Sequence, residues 1–240
     1  MEVFAQILTL VAALAATAAA IAALRLRRLS GLEAAYVVLA CAVCVTQAIG
    51  PLALFWALKP TPMLAAMIRT LGADRKDPNR FLLLAAQGLS AIGDMLYLRS
   101  DWFPATLLVF LVVQLAYFLT YLRGAKLLPS KIIAGAVAVY SGAFLVLFWP
   151  GVGLELRPSI AVYVCVASLM FAQAAGRAWG SHGTVATMSA IGALMFTNAD
   201  TLIGLNKFVS PNPLFELAIL PLYYVAQGLI GYFGAPRRTA

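Results

Sequence analysis

Residues 103–122 read FPATLLVFLVVQLAYFLTYL, twenty consecutive residues without a single Asp, Glu, Lys or Arg. As an α-helix at about 1.5 Å per residue the stretch is roughly 30 Å long, the thickness of a bilayer's hydrocarbon core. Its apolar residues follow no alternation that would turn one face to water, so a half-buried strand is excluded. Runs of the same kind fill the chain on both sides: 3–24, 33–57, 60–72, 80–98, 132–149, 158–176, 185–205 and 214–233. The expected fold is therefore all-α, a polytopic transmembrane helix bundle of about nine spans forming one domain over residues 1–240. Composition agrees: hydrophobic residues make up 63% of the chain and charged residues 11%, against about 25% charged in soluble domains.

The net charge of +8 does not point to nucleic acid, because the basic residues sit in short loops between apolar runs, where they report orientation. With nine spans and an outside amino terminus, the inner side receives Arg25, Arg27, Arg28, Arg69, Arg75, Lys76, Arg80, Arg123, Lys126, Lys131, Arg177, Arg237 and Arg238. The outer side keeps Lys59, Arg99, Arg157 and Lys207. Omitting the 60–72 run would reverse every later loop and remove the bias, although that run is short and opens with Pro60 and Pro62. The expected placement is a multi-pass membrane protein with its amino terminus outside and its carboxyl terminus cytoplasmic. The first run carries Glu2 and no basic residue ahead of it, which argues for a retained helix rather than a secretory signal.

Ionisable groups inside hydrocarbon are costly, rare and usually functional. Asp94 and Asp200 are the acids lying well within spans, about four and five residues from the expected outer ends. That puts both roughly 6–8 Å below the boundary, a matched depth at which two helices can share a cavity. Ser90, Asp94 and Tyr97 fall at helical spacing, as do Gln114, Tyr117 and Tyr121, and then Tyr223 and Gln227 beside Tyr224. Interfacial aromatics and interhelical hydrogen bonds account for such stripes equally well. A weak internal echo links Gly93-Asp94-Met95-Leu96 with Ala199-Asp200-Thr201-Leu202, each followed by a helix carrying Gln and Tyr. Lys59 and Lys207 stand near the two acids at the expected outer mouth, where each could hold a phosphate or simply snorkel. His182 is the only histidine, which excludes a histidine-rich zinc site. No Walker loop, nucleophile elbow or dinucleotide fingerprint occurs. Cys41, Cys44 and Cys165 lie in apolar runs and read as small core residues.

Taken in order, several segments resemble one family. Lys59-Pro60-Thr61-Pro62-Met63-Leu64 resembles the K-P-x-x-M/L-L segment of the YhhN-like lysoplasmalogenases, and Ile92-Gly93-Asp94-Met95-Leu96 resembles their G-D-x-x-L. Phe110 to Tyr117 is similar to F-x-x-x-H-x-x-Y, with Gln114 in the place where His is common. Phe196-Thr197-Asn198-Ala199-Asp200-Thr201-Leu202 and Leu205-Asn206-Lys207-Phe208 resemble F-x-x-S-D-S-L and L-N-K-F, with Ala199 in place of Ser. Tyr223-Tyr224-Val225-Ala226-Gln227 resembles the closing Y-Y-x-x-Q. The likeness covers residues 59–233 and implies about eight helices, with residues 1–30 as an extra amino-terminal helix. It implies an intramembrane hydrolase that splits the vinyl ether bond of lysoplasmalogen-type lipids into a fatty aldehyde and a glycerophospho-base. Asp94 and Asp200 would be the catalytic pair, one protonated and one ionised, as in glycosidases. Lys59, Tyr97, Gln114, Tyr117, Asn206, Lys207, Tyr224 and Gln227 would hold the substrate, which enters from the bilayer; no metal or cofactor is needed. The same buried acids would also suit a small proton-coupled transporter, and the bundle a non-catalytic lipid-binding protein.

Overall fold

The computed structural model describes residues 30–181 and 183–234. Within them the chain forms nine α-helices: α1 (Gly31–Ile49), α2 (Leu52–Leu58), α3 (Thr61–Leu71), α4 (Arg80–Leu96), α5 (Phe103–Leu122), α6 (Lys131–Phe148), α7 (Arg157–Ser181), α8 (Thr184–Phe208) and α9 (Pro213–Gly234). The expected span at 3–24, the basic cluster at Arg25, Arg27 and Arg28, His182 and the carboxyl-terminal arginines lie outside the described residues. Helices α1 and α5–α9 are long and apolar enough to cross a membrane, six in all among the described residues.

Two departures from the sequence reading occur between residues 33 and 72. The run at 33–57 is not one helix: α1 stops at Ile49, Gly50 is extended, and the seven-residue α2 follows Pro51. Proline lacks the N–H that a continuing helix needs and disfavours helical geometry in the residue before it. The run at 60–72 is helical as α3, but its eleven residues rise only about 16 Å, about half of a ~30 Å core. Nevertheless α3 returns the chain to the side where α1 began. Arg69, near its end, pairs with Glu33 in the first turn of α1 at 2.9 Å. The same guanidinium donates to the carbonyls of Gly231 (2.8 Å) and Tyr232 (3.2 Å) at the end of α9. Arg80 then donates to the terminal carbonyls of α3 at Thr70 and Leu71, acceptors that a helix end leaves unpaired.

Neighbouring helices close a circuit in the order α1, α3, α4, α5, α7, α8, α9 and back to α1, with α6 packed outside against α7. The surface of this bundle is apolar: Val38, Phe81, Leu108, Ile132, Val139 and Val146 are all more than 60% exposed. Its interior holds Gln87, Ser90, Asp94, Gln114, Gln173 and Gln227, each 3% exposed or less. That inversion of a soluble protein is what lipid demands, because hydrocarbon offers buried polar groups no partner and helices associate through close packing and hydrogen bonds. Close approach is visible next to the first acid. A Cβ on Gly93 would lie 2.7 Å from the ring of Phe110, so the glycine lets α5 press its aromatic side chain against α4 beside Asp94.

Candidate active site

Asp94 lies in the last turn of α4 and is 3% exposed. The hydroxyl of Tyr223, on α9, donates to its Oδ2 at 3.2 Å. One helical turn below, Ser90 Oγ accepts from Gln227 Nε2 at 2.9 Å, and the Tyr117 hydroxyl donates to Gln227 Oε1. Asp200 lies about two turns before the end of α8 and is half-buried. Its Oδ2 accepts twice, from Gln114 Nε2 on α5 at 2.8 Å and from the Tyr163 hydroxyl on α7 at 2.9 Å. Nearby, Tyr140 on α6 donates to Asn198 Oδ1 at 2.8 Å and lies 3.3 Å from Thr201 Oγ1.

The support is crossed. The helix following Asp94 carries the glutamine that holds Asp200, and the helix following Asp200 carries the tyrosine that holds Asp94. Between these pairs, the rings of Phe110, Phe196 and Tyr223 meet one another edge to face, with centroids 5.7–6.3 Å apart, in the geometry aromatic pairs favour. Neither acid could keep its partner if the α4–α5 and α8–α9 hairpins slid past each other.

Both acids line a single cavity of about 110 Å³, room for several waters. Lys59, Tyr97, Tyr140, Tyr163 and Tyr223 contribute to its polar wall, with several Ser and Thr hydroxyls, while Leu107, Phe144, Phe148, Val164, Ile203 and Phe208 contribute to a long apolar one. The two carboxyl groups make no hydrogen bond to each other. Lys59 is 2% exposed, although the sequence placed it at an open mouth. The Lys59-Pro60 bend between α2 and α3 turns its side chain inward, where its Nζ lies over ring faces, 4.5 Å from the Tyr97 centroid and 5.4 Å from that of Phe55, with the Asp94 and Glu216 carboxylates acting on it at longer range. No carboxylate lies within 4 Å of it among the described residues. No hydrogen-bond acceptor meets its side-chain N–H groups among the described residues, so the side chain can still take up an anion.

The model of the YhhN family matches residues 54–232. The chain belongs to the YhhN family. Among curated relatives it is similar to lysoplasmalogenase TMEM86A of Homo sapiens, 32% identical over 147 residues that cover 59% of this chain and 60% of the relative. It is also 32% identical over 179 residues to lysoplasmalogenases of Mycobacterium bovis and Mycobacterium tuberculosis, covering 70% of this chain and 65% of each. The chain thus spans less than two thirds of the length of these relatives. No solved structure matches it significantly.

The residues singled out from the sequence fall into three groups. Asp94, Asp200, Lys59 and Tyr97 line the cavity, and Gln114 reaches it through Asp200. Tyr117, Gln227 and Tyr224 lie behind that wall: the first two are hydrogen-bonded to each other, and Tyr224 donates to the Lys59 carbonyl at 2.9 Å, fixing the bend that aims the lysine. Asn206 and Lys207 lie apart from it. Asn206 Oδ1 accepts from the backbone N–H of Asn212 and ties the α8–α9 turn, and the exposed Lys207 lies over the ring of Phe103 at 4.3 Å. Tyr163 and Tyr140 were not singled out beforehand. Their only signal is a phenol deep inside an apolar run, which the sequence does not distinguish from packing.

Proposed function

We propose that this family member is an intramembrane hydrolase acting on the vinyl ether bond of lysoplasmalogen-type lipids, with Asp94 and Asp200 as its acid and base. The observation that carries the reading is one cavity with two carboxyl groups, a buried lysine and a long apolar wall. Each part answers one need of a single-chain ether lipid: the apolar wall takes the chain, Lys59 takes the phosphate, and the acids flank the bond between them. The similarity to lysoplasmalogenases supports the same substrate class.

Vinyl ether hydrolysis begins with proton transfer to the β-carbon, which leaves an oxocarbenium ion at the α-carbon. Water adds there and loses a proton, and the hemiacetal breaks its bond to the glycerol oxygen, which takes a proton. The products are a fatty aldehyde and a glycerophospho-base. Asp94, with its single phenol contact, is assigned the proton delivered to carbon. Asp200 already accepts two donors on Oδ2 and presents Oδ1 free; it is assigned the negative charge that steadies the oxocarbenium ion and takes the proton from water. General acid–base help of this kind contributes about 10²–10⁴ in rate, and the enclosed, water-poor surroundings strengthen the charge interaction.

Full-length protein in lipid nanodiscs, given a lysoplasmalogen and its saturated alkyl ether counterpart, should release aldehyde only from the first. Release from neither, or cleavage of the saturated ether at a similar rate, contradicts the reading.

A further inference from the structure

A second cavity of about 400 Å³ adjoins the first and shares Lys59, Tyr97, Ile219 and Leu220 with it. It lies between the end of α1, the short helix α2 and the start of α9. Its other polar side chains are Thr46, whose hydroxyl donates to the Ala42 and Val43 carbonyls, Gln47 and Glu216. Glu216 is exposed there, and its carboxylate has no hydrogen bond or ion pair among the described residues. Gln47 spends its Nε2 on the Glu216 backbone carbonyl at 3.3 Å, which leaves its buried Oε1 without a partner. Phe55 and Trp56 add ring faces. Apart from Lys59 at the shared boundary, no Lys or Arg lines the space. A wall of free acceptors, one negative charge and aromatic faces suits a cation, and it begins where Lys59 would hold a phosphate.

We propose that this cavity is a head-group chamber in which Glu216, Gln47 Oε1 and the Trp56 ring hold the ammonium of a zwitterionic phosphate head whose phosphate rests on Lys59. The inference builds on the hydrolase reading by laying one lipid across both cavities, chain and ether bond in the first and head in the second. It makes Glu216 a specificity-determining residue. Anionic heads without an ammonium would meet the Glu216 carboxylate unfavourably, since unpaired like charges discriminate against wrong ligands.

Affinities of the full-length protein are to be measured for saturated ether lysolipids, which lack the reactive bond, bearing phosphocholine, phosphoethanolamine or phosphate alone. The two ammonium heads should bind tighter. Glu216→Gln should shrink that preference about tenfold, and Glu216→Lys should reverse it, whereas Lys59→Met should weaken all three. Equal affinities in the wild type, or equal changes for all three ligands in Glu216→Gln, overturn the chamber. The hydrolase reading fails separately: discrimination without aldehyde release from the vinyl ether supports the chamber and removes the enzyme, and release without discrimination does the reverse.

Discussion

The two acids sit in similar sequence and in different surroundings. Gly93-Asp94-Met95-Leu96 and Ala199-Asp200-Thr201-Leu202 each open a helical hairpin, and each hairpin supports the acid of the other. Yet Asp94 is 3% exposed and takes one phenol at 3.2 Å, whereas Asp200 is half-buried and takes an amide and a phenol at 2.8 and 2.9 Å on one oxygen. The difference teaches that a repeated motif need not imply a repeated role. One carboxyl is shut in with a single phenol on it and the Lys59 side chain in the same cavity; the other accepts two hydrogen bonds on one oxygen. Two carboxyl groups in unlike settings are what a proton donor and a charge-bearing partner require.

The largest effects should come from the acids themselves. Asp94→Asn and Asp200→Asn should each lower aldehyde release by about a thousandfold or more, with helical content by circular dichroism unchanged. Near-normal turnover by either variant breaks the pairing. A smaller effect separates the two surroundings. Tyr223→Phe strips Asp94 of its one hydrogen-bond donor among the described residues, while Tyr163→Phe leaves Asp200 with Gln114. Losses in kcat of about thirtyfold and about fivefold respectively are expected from the worth of a hydrogen bond to a charged or reacting group; equal losses would show that the asymmetry has no chemical consequence. Smallest in rate is Tyr117→Phe. It leaves Gln227 Oε1 short of its donor behind the wall, so thermal unfolding in detergent should fall by a few degrees while kcat stays within about twofold. A kcat collapse at unchanged stability would move Tyr117 into the chemistry.

Much of this was legible in the sequence for a physical reason. Hydrocarbon admits few sequences, so the apolar runs announce their helices, and an acid inside such a run stands out by its cost. Asp94, Asp200 and Gln114 were visible that way. What hydropathy does not register is the backbone: Gly50-Pro51 interrupts an apolar run that reads as continuous, and α3 is helical but short. The Lys59-Pro60 bend decides where Lys59 points, which no apolarity scale conveys either. Tyr163 was hidden because a phenol in a membrane helix is as often packing as chemistry, and its partner lies 37 residues away on another helix. Glu216 was hidden because a loop-proximal carboxylate reads as solvated until α1 and α2 are seen to border the same cavity. Asn206, which the resemblance assigns to substrate, has its Oδ1 on the Asn212 backbone N–H at the α8–α9 turn, a contact no sequence pattern announces.

The central claim is that a carboxyl proton is delivered to carbon inside this cavity, and hydrolysis in deuterium oxide tests it most directly. Aldehyde trapped as it forms and weighed by mass spectrometry should carry one deuterium at the carbon next to the carbonyl, and its release should slow by about half or more because that transfer limits the rate. Aldehyde free of deuterium at that carbon would contradict the account, since no proton from an aspartate could then have started the reaction.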